Sequence, residues 1–177
     1  IMANVGVDFG FFDNRLNGSV EYFNRQNDDM LFYVSMPPSS GYGSLRMPMN
    51  VGKVQNQGVE FDVEAVLVST KNIEWSIYGN ITYVDGKVVR LPDSYLKEDG
   101  TRWYAGSSYI LKEGGSLHQA YMPEYAGVDA ETGKALYYLD PADHSKGTTA
   151  TYSQDLAGDL GDISVKCYGG FGTSLNL

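Results

Sequence analysis

Paired carboxylates are the residues of this chain that could most readily do chemistry, because two acids can together hydrolyse a glycosidic bond. Glu60 and Glu64 lie four residues apart in a segment where apolar and polar residues alternate. On a strand they would share one face at a separation of roughly 13 Å, from a rise of about 3.3 Å per residue. Neither common glycosidase geometry fits that separation. The spacing therefore favours a water-exposed strand face over a catalytic pair.

The other reactive side chains are few and scattered. His118 and His144 are the only histidines and Cys167 is the only cysteine, without HExxH, CxxC or paired-histidine spacing. Residues 129–133 superficially resemble a calcium loop but lack its ligand pattern. Residues 169–174 are glycine-rich, but they include no lysine and open no helix, unlike a phosphate loop. We therefore predict no catalytic residue, no metal and no cofactor, and so no enzyme.

Charge and hydropathy exclude two further classes of protein, nucleic-acid-binding proteins and helical membrane proteins. The net charge of the 177 residues is −9, from 22 acidic and 13 basic residues, so we expect no nucleic-acid partner. The longest aliphatic run, residues 65–68, is far shorter than the roughly 20 residues of a membrane-spanning helix. The chain begins at Ile1 and stops at Leu177 in strand-like sequence. We therefore expect a segment of a longer chain.

Residues 58–84 carry the clearest structural signal. Two arms, 58–68 and 73–84, alternate with a period of two, and a polar link at 69–72 joins them as an antiparallel hairpin. Residues 87–91 can continue the second arm. Glu60, Asp62 and Glu64 lie on the polar face. The apolar face carries Val59, Phe61, Val63, Ala65 and Leu67 on the first arm, and Ile73, Trp75, Ile77, Ile81 and Tyr83 on the second.

A second hairpin precedes this one. Residues 4–12 and 16–25 alternate in the same way. The sequence places the turn at residues 13–15, Asp-Asn-Arg, with a rival at residues 17–18, Asn-Gly, which is the strongest short hairpin signal. Residue pattern alone gives the first turn only a modest advantage.

Two longer links separate the strand-like segments. Residues 26–49 form a long connection, because the consecutive prolines Pro37 and Pro38 cannot lie inside a central strand. Residues 50–57 lead from this connection into the central hairpin. Residues 92–162 form a second link, polar and irregular, after which residues 163–177 resume strand character.

The links therefore run short, long, short, long along the chain. Within the second long link, residues 126–138 are typical of a small hairpin closed by residues 129–133. A sandwich has no reason to alternate its links in this way, whereas a transmembrane barrel has short turns on one side of the membrane and long loops on the other. The carboxylates at mid-strand need water on their face, which a hydrated lumen or an exposed sheet face provides.

Two interpretations remain open on the residues alone. One is the wall of a transmembrane barrel, and the other is a secreted soluble β-sandwich that binds carbohydrate. A sandwich must cover the apolar face with a second sheet, whereas in a barrel that face stays bare of protein. For the barrel we expect a curved antiparallel sheet of hairpins with open edges at both terminal strands.

Five blocks of the sequence form an ordered set: residues 12–25 (FDNRLNGSVEYFNR), 37–42 (PPSSGY), 50–60 (NVGKVQNQGVE), 124–129 (EYAGVD) with 132–136 (TGKAL), and 168–173 (YGGFGT). In this order, over nearly the whole chain, they resemble the SusC/RagA family of TonB-dependent outer-membrane transporters of Bacteroidetes. Each block alone is a weak signal, and the ordered set is a strong one. The resemblance also favours the turn at residues 13–15.

This resemblance implies an all-β fold, an antiparallel meander of hairpins that forms part of a transmembrane β-barrel with long extracellular loops. Residues 1–177 would supply roughly five of about 22 strands, from the later half of the barrel, with the plug domain and both chain ends absent. It implies an outer-membrane location, contact with lipid, a SusD-like lipoprotein partner, coupling to the TonB complex through the absent N-terminal region, and oligosaccharide or peptide cargo.

Aromatic residues supply the candidate contact sites. Tyr22, Trp75 and Tyr83 are candidates for an aromatic girdle at the membrane interface, with ordinary sheet packing as the alternative. A second set lies in or beside the long loop and could stack on sugar rings or pack on the partner lipoprotein. Small clusters that hold the loop are an equally good interpretation of this set, which comprises Trp103, Tyr104, Tyr109, Tyr121 and Tyr125.

Overall fold

The computed structural model describes residues 1–35 and 46–177. Their strands are β1 (Met2–Phe11), β2 (Leu16–Ser35), β3 (Arg46–Ser69), β4 (Glu74–Arg90), β5 (Trp103–Ala105), β6 (Tyr109–Lys112), β7 (Gln119–Pro123), β8 (Tyr125–Val128), β9 (Ala135–Tyr138), β10 (Thr148–Thr149), β11 (Ala157–Asp162) and β12 (Cys167–Asn176). Short 3-10 helices span Asp93–Tyr95, His144–Lys146 and Gln154–Leu156. Within the described ranges, no helix is long and apolar enough to cross a membrane.

The five longest strands form one sheet in the order β1-β2-β3-β4-β12. β1 pairs antiparallel with β2 from Met2 opposite Arg25 to Phe11 opposite Leu16, and β12 pairs antiparallel with β4. Among the described strands, β1 and β12 are the edges of this sheet. The predicted all-β, antiparallel fold with an unclosed sheet of five strands is therefore confirmed.

The first hairpin turns where the sequence predicted. Phe12, Asp13 and Asn14 have φ values of 56°, 54° and 63°, and the Arg15 amide donates to the Phe12 carbonyl at 3.2 Å. The rival Asn17-Gly18 pair lies inside β2 instead. Gly18 has a packing role there, because a Cβ at this position would lie 2.5 Å from the Phe9 ring.

The described chain divides into two compact units, of which the first comprises Ile1–Asp28, Val54–Gly86 and Val165–Leu177. Its apolar face is open. Trp75, Ile77 and Ile81 remain 41%, 41% and 49% exposed, so no second sheet of the described residues covers them. That openness is what a barrel wall requires and is not compatible with the core of a sandwich.

The second and third strands extend beyond their predicted boundaries. β2 continues to Ser35 and β3 begins at Arg46, so most of the predicted connection at 26–49 and the predicted lead-in at 50–57 are strand. The polar residues of β2 do not end it, because water can solvate their side chains while the backbone stays paired: the Gln26 amide donates to the Ile1 carbonyl at 2.8 Å. Asp29, with a φ of 58°, is a local irregularity in β2. Pro37 and Pro38 lie outside the described residues.

The central hairpin closes one residue later than predicted. β3 ends at Ser69 and β4 begins at Glu74. The Thr70 amide donates to the Ile73 carbonyl at 2.8 Å, and the Thr70 hydroxyl accepts from the Ile73 amide at 3.1 Å, so a threonine side chain fixes the turn. β4 then continues past Gly86 to Arg90, as residues 87–91 allowed.

The second unit, Asp29–Lys53 with Lys87–Ser164, has its own small core of Val88, Leu91, Ile110 and Ala120. Within it lie a four-stranded sheet, β11-β7-β6-β5, and a three-stranded sheet, β10-β9-β8. The prediction that residues 92–162 are irregular outside one hairpin is therefore wrong. Strands of two to six residues are too short to show a period of two in the sequence.

The one hairpin predicted in this region is confirmed, because β8 and β9 pair antiparallel around residues 129–133. The Asp129 carboxylate accepts from the Glu131 amide at 2.8 Å and the Thr132 amide at 3.0 Å, and Gly133 has a φ of 69°. Hydrogen bonds from Thr132 and Glu131 hold the pKa of Asp129 below its usual value. The turn residues therefore stabilise the loop.

The last strand begins at Cys167, four residues later than predicted. The Asp162 carboxylate accepts from the Ser164 amide at 2.9 Å, which turns the backbone away from an extended course. The Ile163 amide instead donates to the His118 carbonyl at 3.0 Å. Regular pairing with β4 starts at Cys167 opposite Tyr83.

Two neighbouring glycines of β12 provide a test of how tightly this sheet packs. A Cβ at Gly169 would lie 2.2 Å from the Asn80 carbonyl oxygen, whereas at Gly170 its nearest contact, Asn80 Oδ1, is at 3.8 Å. We expect Gly169→Ala to lower the free energy of unfolding by about 1–3 kcal/mol through overpacking. Gly170→Ala should change it by less than about 0.5 kcal/mol. Urea unfolding of the intact purified protein measures both, and equal effects would contradict the register.

Candidate functional site

The apolar face of the first unit is continuous across its strands. The register of β4 and β12 sets Trp75 opposite Leu175, Ile77 opposite Thr173 and Gly79 opposite Phe171. Because directly opposed residues share a face, β12 extends the apolar face of β4. Leu16 of β2 and residues 63 and 65 of β3 line the same surface groove as Trp75 and Ile77, so the face continues across those strands.

The opposite face of the same sheet is polar and acidic. Glu60, Asp62 and Glu64 are all exposed there. Glu21 lies beside Arg25 and Glu60 in a cleft of about 260 Å³. Carboxylates arranged in this way require water, because an unpaired charge is very costly to bury.

The three predicted girdle residues lie at two levels of the sheet. Both hairpin turns are at the same end, since the Val66 amide donates to the Arg15 carbonyl at 2.7 Å. Trp75 follows directly after the turn, whereas Tyr83 is farther along β4, and Tyr22 is correspondingly far along β2. The eight residues from Trp75 to Tyr83 span roughly 26 Å along a strand, or about 20 Å of height at the tilt typical of membrane barrels.

The polar atoms on the apolar face have hydrogen-bond partners within the sheet. The Trp75 indole Nε1 donates to Thr173 Oγ1 at 2.8 Å, and that hydroxyl donates to the Ser76 carbonyl at 2.9 Å. An unsatisfied polar group costs several kcal/mol in hydrocarbon, roughly 4–8 kcal/mol on the water-to-cyclohexane scale. This chain of bonds makes the Trp75 and Thr173 side chains compatible with an apolar surrounding.

The five predicted loop aromatics do not form one platform. The rings of Tyr104 and Tyr109 lie 6.2 Å apart, and Tyr95, which the sequence analysis missed, lies 5.2 Å from Tyr104. Lys97 Nζ lies 4.3 Å from the ring centre of Trp103, a cation–π contact.

Tyr125 belongs to a different group. Its ring lies 6.4 Å from that of Tyr137, which in turn lies 5.3 Å from Tyr152. Tyr121 belongs to neither group, and its amide donates to the Ser108 carbonyl at 3.1 Å. Tyr137 and Tyr152 were not singled out from the sequence, because only the pairing of β8 with β9 brings the first of them to Tyr125.

The sequence also did not predict a polar cluster in the second unit. Gln119 is only 8% exposed, and its Nε2 donates to both carboxylate oxygens of Asp159 at 2.7 and 2.8 Å. Lys112 forms an ion pair with the same carboxylate. Burial raises the pKa of Asp159, but the hydrogen bonds from Lys112 and Gln119 outweigh it, and the net shift is downward. No sequence signal connects residues 40 or more positions apart.

The reactive side chains noted in the sequence lie apart. His144 stacks on Tyr138 with ring centres 3.8 Å apart and bonds Glu124 at 2.8 Å, whereas Cys167 is a free, exposed thiol at the start of β12. Within residues 1–35 and 46–177, no group of three or more His, Cys, Asp or Glu side chains is arranged to hold a metal ion. The features that remain as candidates are the two-faced sheet and the loop aromatics.

Comparison with known proteins gives one consistent result. The family described as "TonB dependent receptor-like, beta-barrel" matches residues 3–172. TonB-dependent receptor P39 of Formosa agariphila is 32% identical over 125 residues, which are 71% of this chain and 11% of that protein. TonB-dependent receptor SusC of Bacteroides thetaiotaomicron is 28% identical over 187 aligned residues, covering 98% of this chain and 18% of that protein.

Solved structures agree with these relatives. The RagAB peptide importer in its "open-open" state matches 99% of this chain and 18% of its own, with a TM-score of 0.81 and 31% identity. The structure of the RagAB peptide transporter matches with a TM-score of 0.77 and 30% identity. The chain thus spans between about a tenth and a fifth of the length of P39 and SusC.

The Asp159 cluster gives a pH prediction. Because folding lowers the pKa of Asp159, its carboxylate stabilises the fold above the ordinary pKa of about 3.9, and that stabilisation is lost as pH falls through the lowered value. We expect Asp159→Asn to reduce stability at pH 7 by about 1 kcal/mol, and its difference from the wild type should shrink towards pH 3. Urea midpoints at several pH values measure this difference.

Glu131→Gln is the matched control, since Glu131 is exposed in the turn between β8 and β9. It should leave the midpoints unchanged at every pH. A deficit in Asp159→Asn that is the same at pH 3 and pH 7 would contradict the assigned role of the carboxylate.

Proposed function

The chain belongs to the TonB dependent receptor-like β-barrel family, and we propose that it forms part of the wall of an outer-membrane importer. The observation that carries this proposal is a single sheet whose apolar face is uncovered and whose other face is acidic and exposed. Such a sheet separates hydrocarbon from water. The relatives are receptors and transporters, which supports a transport role and not an enzymatic one.

On the membrane side, the apolar face of β4 and β12 contacts acyl chains. Trp75 lies at one interface, beside the turns, and Tyr22 with Tyr83 lies at the other. At the strand tilt typical of membrane barrels, these two levels are about 20 Å apart along the membrane normal. This is close to the height of the apolar band of such barrels, about 25 Å. Aromatic side chains favour these levels, because one end of the ring system is apolar and the other can meet water.

On the inner side, the acidic face borders a hydrated lumen. Glu60, Asp62 and Glu64 require solvent, and a channel provides it. In the whole transporter the plug domain, which lies outside this chain, fills that lumen. This segment then supplies five of about 22 strands, from the later half of the barrel.

We further propose an activity for the whole protein, which membership of this family supports. Cargo binds on the outer side, the TonB complex drives rearrangement of the plug, and cargo passes through the lumen. A SusD-like surface lipoprotein is the proposed partner, and the cargo is an oligosaccharide or a peptide. The names of the similar proteins support such an importer, since RagAB is described as a peptide transporter.

The loop aromatics have a proposed role on the outer side of the membrane. Tyr109 and Tyr125 are exposed, and Trp103 forms the cation–π contact with Lys97. These three residues are therefore the most suitable to contact cargo or the partner lipoprotein. Tyr104 and Tyr121 are half-buried and instead support the loop. Alanine variants of the first three should weaken cargo capture several-fold more than variants of the other two.

A charge placed on each face in turn tests the wall assignment. Phe171 lies opposite Gly79, midway between the two aromatic levels. We expect Phe171→Arg to destabilise the folded protein in bilayers by about 2–4 kcal/mol, because an arginine at the bilayer midplane loses its hydration. Gly170→Arg, one residue away on the polar face, should cost less than about 1 kcal/mol. Denaturant unfolding of the intact protein in lipid vesicles measures both variants.

Phe171→Leu is the second control, since it keeps an apolar side chain at the same position. It should retain most of the stability. Equal tolerance of arginine at positions 170 and 171 would show that both faces meet water and would contradict the wall assignment.

A further inference from the structure

A polar cleft of about 260 Å³ lies on the acidic face of the first unit, at the end of the sheet away from the hairpin turns. The pairing of β1 with β2 builds it in three successive levels: Gly6 opposite Glu21, Asn4 opposite Phe23, and Met2 opposite Arg25. Alternate residues of a strand lie on one side of the sheet. Glu21, Phe23 and Arg25 therefore share this face, with the aromatic ring between the two charges.

The neighbouring strand β3 adds a second carboxylate beside that of Glu21. The hydrogen bond that joins β3 to the end of the first turn sets the register of β2 and β3. Continued along the two strands, this register sets Phe23 opposite Gly58 and Glu21 opposite Glu60. A Cβ at Gly58 would lie 2.5 Å from Phe23 Cζ, which agrees with this register. The two carboxylates thus occupy one end of the cleft together.

The charges of the cleft are separated by sign. The Arg25 guanidinium occupies the end opposite to the carboxylates, with its Cα roughly 13 Å from that of Glu21 along β2. In the part of the chain that the structure describes, none of Glu21, Glu60 and Arg25 forms an ion pair. Like charges directly opposite each other destabilise a sheet. A ligand cation between the two carboxylates would therefore relieve their repulsion.

The middle of the cleft suits a peptide backbone. Asn4 lies beside Phe23, and Asn56 lines the same cleft. A carboxamide both donates and accepts hydrogen bonds, as the N–H and C=O of a peptide unit require. The Asn56 side chain lies over Gly86, where a Cβ would be 2.6 Å from Asn56 Oδ1. The half-buried Phe23 ring offers an apolar surface to a small side chain.

We propose that this cleft binds a short peptide with free ends, its ammonium between Glu21 and Glu60 and its carboxylate on Arg25. An extended chain spans about 3.3–3.6 Å per residue, so three residues cover about 10 Å, and the glutamate and arginine side chains reach across the remainder. A neutral oligosaccharide would instead remove water from three charges without neutralising them, which is costly. The cleft therefore selects the peptide from the two proposed classes of cargo.

The proposal deepens the proposed function and rests on it, because that function turns this face towards the lumen. Short turns lie on the periplasmic side of membrane barrels. A cleft far from the turns, between residues that flank Tyr22 in β2, thus lies at the outer end of the wall. Cargo that enters from outside would meet this cleft first on the wall.

Isothermal titration calorimetry of the intact transporter in detergent micelles tests the site. The probes are trialanine, N-acetyl-trialanine, trialanine amide and the neutral trisaccharide maltotriose. We expect trialanine to bind with a Kd of about 1 mM or lower. Capping either end should weaken binding about 10-fold, because each cap removes a charge-assisted hydrogen bond. Maltotriose should bind more weakly than trialanine by about 10-fold or more, because it leaves the three charges unneutralised.

Charge-to-amide variants assign the two ends of the peptide. Arg25→Gln should weaken trialanine about 10-fold and leave trialanine amide unchanged, since that peptide has no carboxylate to lose a partner. Glu21→Gln and Glu60→Gln should each weaken trialanine and leave N-acetyl-trialanine unchanged. Glu64→Gln is the matched control, because it removes the same charge from an exposed position of this face outside the cleft, and it should leave all four probes unchanged. Arg25 and Glu60 are exposed, so their variants keep the fold and the test stays decisive.

Three results would overturn the peptide site: no binding of trialanine, equal binding of trialanine and its capped forms, or equal weakening by Glu64→Gln and Glu60→Gln. Tighter binding of maltotriose than of trialanine, lost in Arg25→Gln, would assign the cleft to a saccharide instead.

A spin label at residue 25 of the protein in bilayers, with Cys167 replaced by serine, separates this failure from failure of the proposed function. Collision with oxygen but not with a water-soluble nickel chelate would show that this face meets lipid, which contradicts the proposed function. Access of the nickel chelate together with unselective binding of the probes would remove only the peptide site.

Discussion

In the proposed barrel wall, one constraint dominates the first unit: a single layer of strands must satisfy two solvents at once. Because side chains alternate across a strand, each residue is assigned to hydrocarbon or to water by its position alone. Glu60 and Asp62 on one face and Val63 on the other follow that rule along β3. A shift of one residue in register would bring carboxylates into the apolar layer. Glycines such as Gly18 and Gly169, which leave no room for a Cβ, fix the packing of the neighbouring strands and so the register.

The second unit depends on a different balance. Its core is small, with Val88 and Leu91 among its few buried apolar side chains, so turns and polar bonds contribute much of its order. The Asp129 turn and the bonds from Gln119 to Asp159 are examples. Short hairpins held in this way can present aromatic side chains without a large hydrophobic core. This suits the proposed role of the unit in contacting cargo or a partner in water.

The sequence predicted the first unit well and the second poorly, for one physical reason. Where one face is apolar, the period of two appears in the residues, so the five long strands, the turn at residues 13–15 and the central hairpin could all be predicted. Where the strand residues are mostly polar, as at residues 26–29, or the strands are only two to six residues long, as in β5 to β11, a period of two cannot be seen in the sequence. Contacts such as that between Gln119 and Asp159 depend on tertiary structure alone.

The central claim is that the two faces of β4 meet different solvents. Spin labels introduced one at a time at residues 75–83 of the intact protein in bilayers, with Cys167 replaced by serine, measure this directly through collision with oxygen and with a water-soluble nickel chelate. The account predicts oxygen accessibility at odd-numbered positions and nickel accessibility at even-numbered ones, with a period of two. Nickel access at positions 77, 79 and 81 equal to that at 78, 80 and 82 would contradict it.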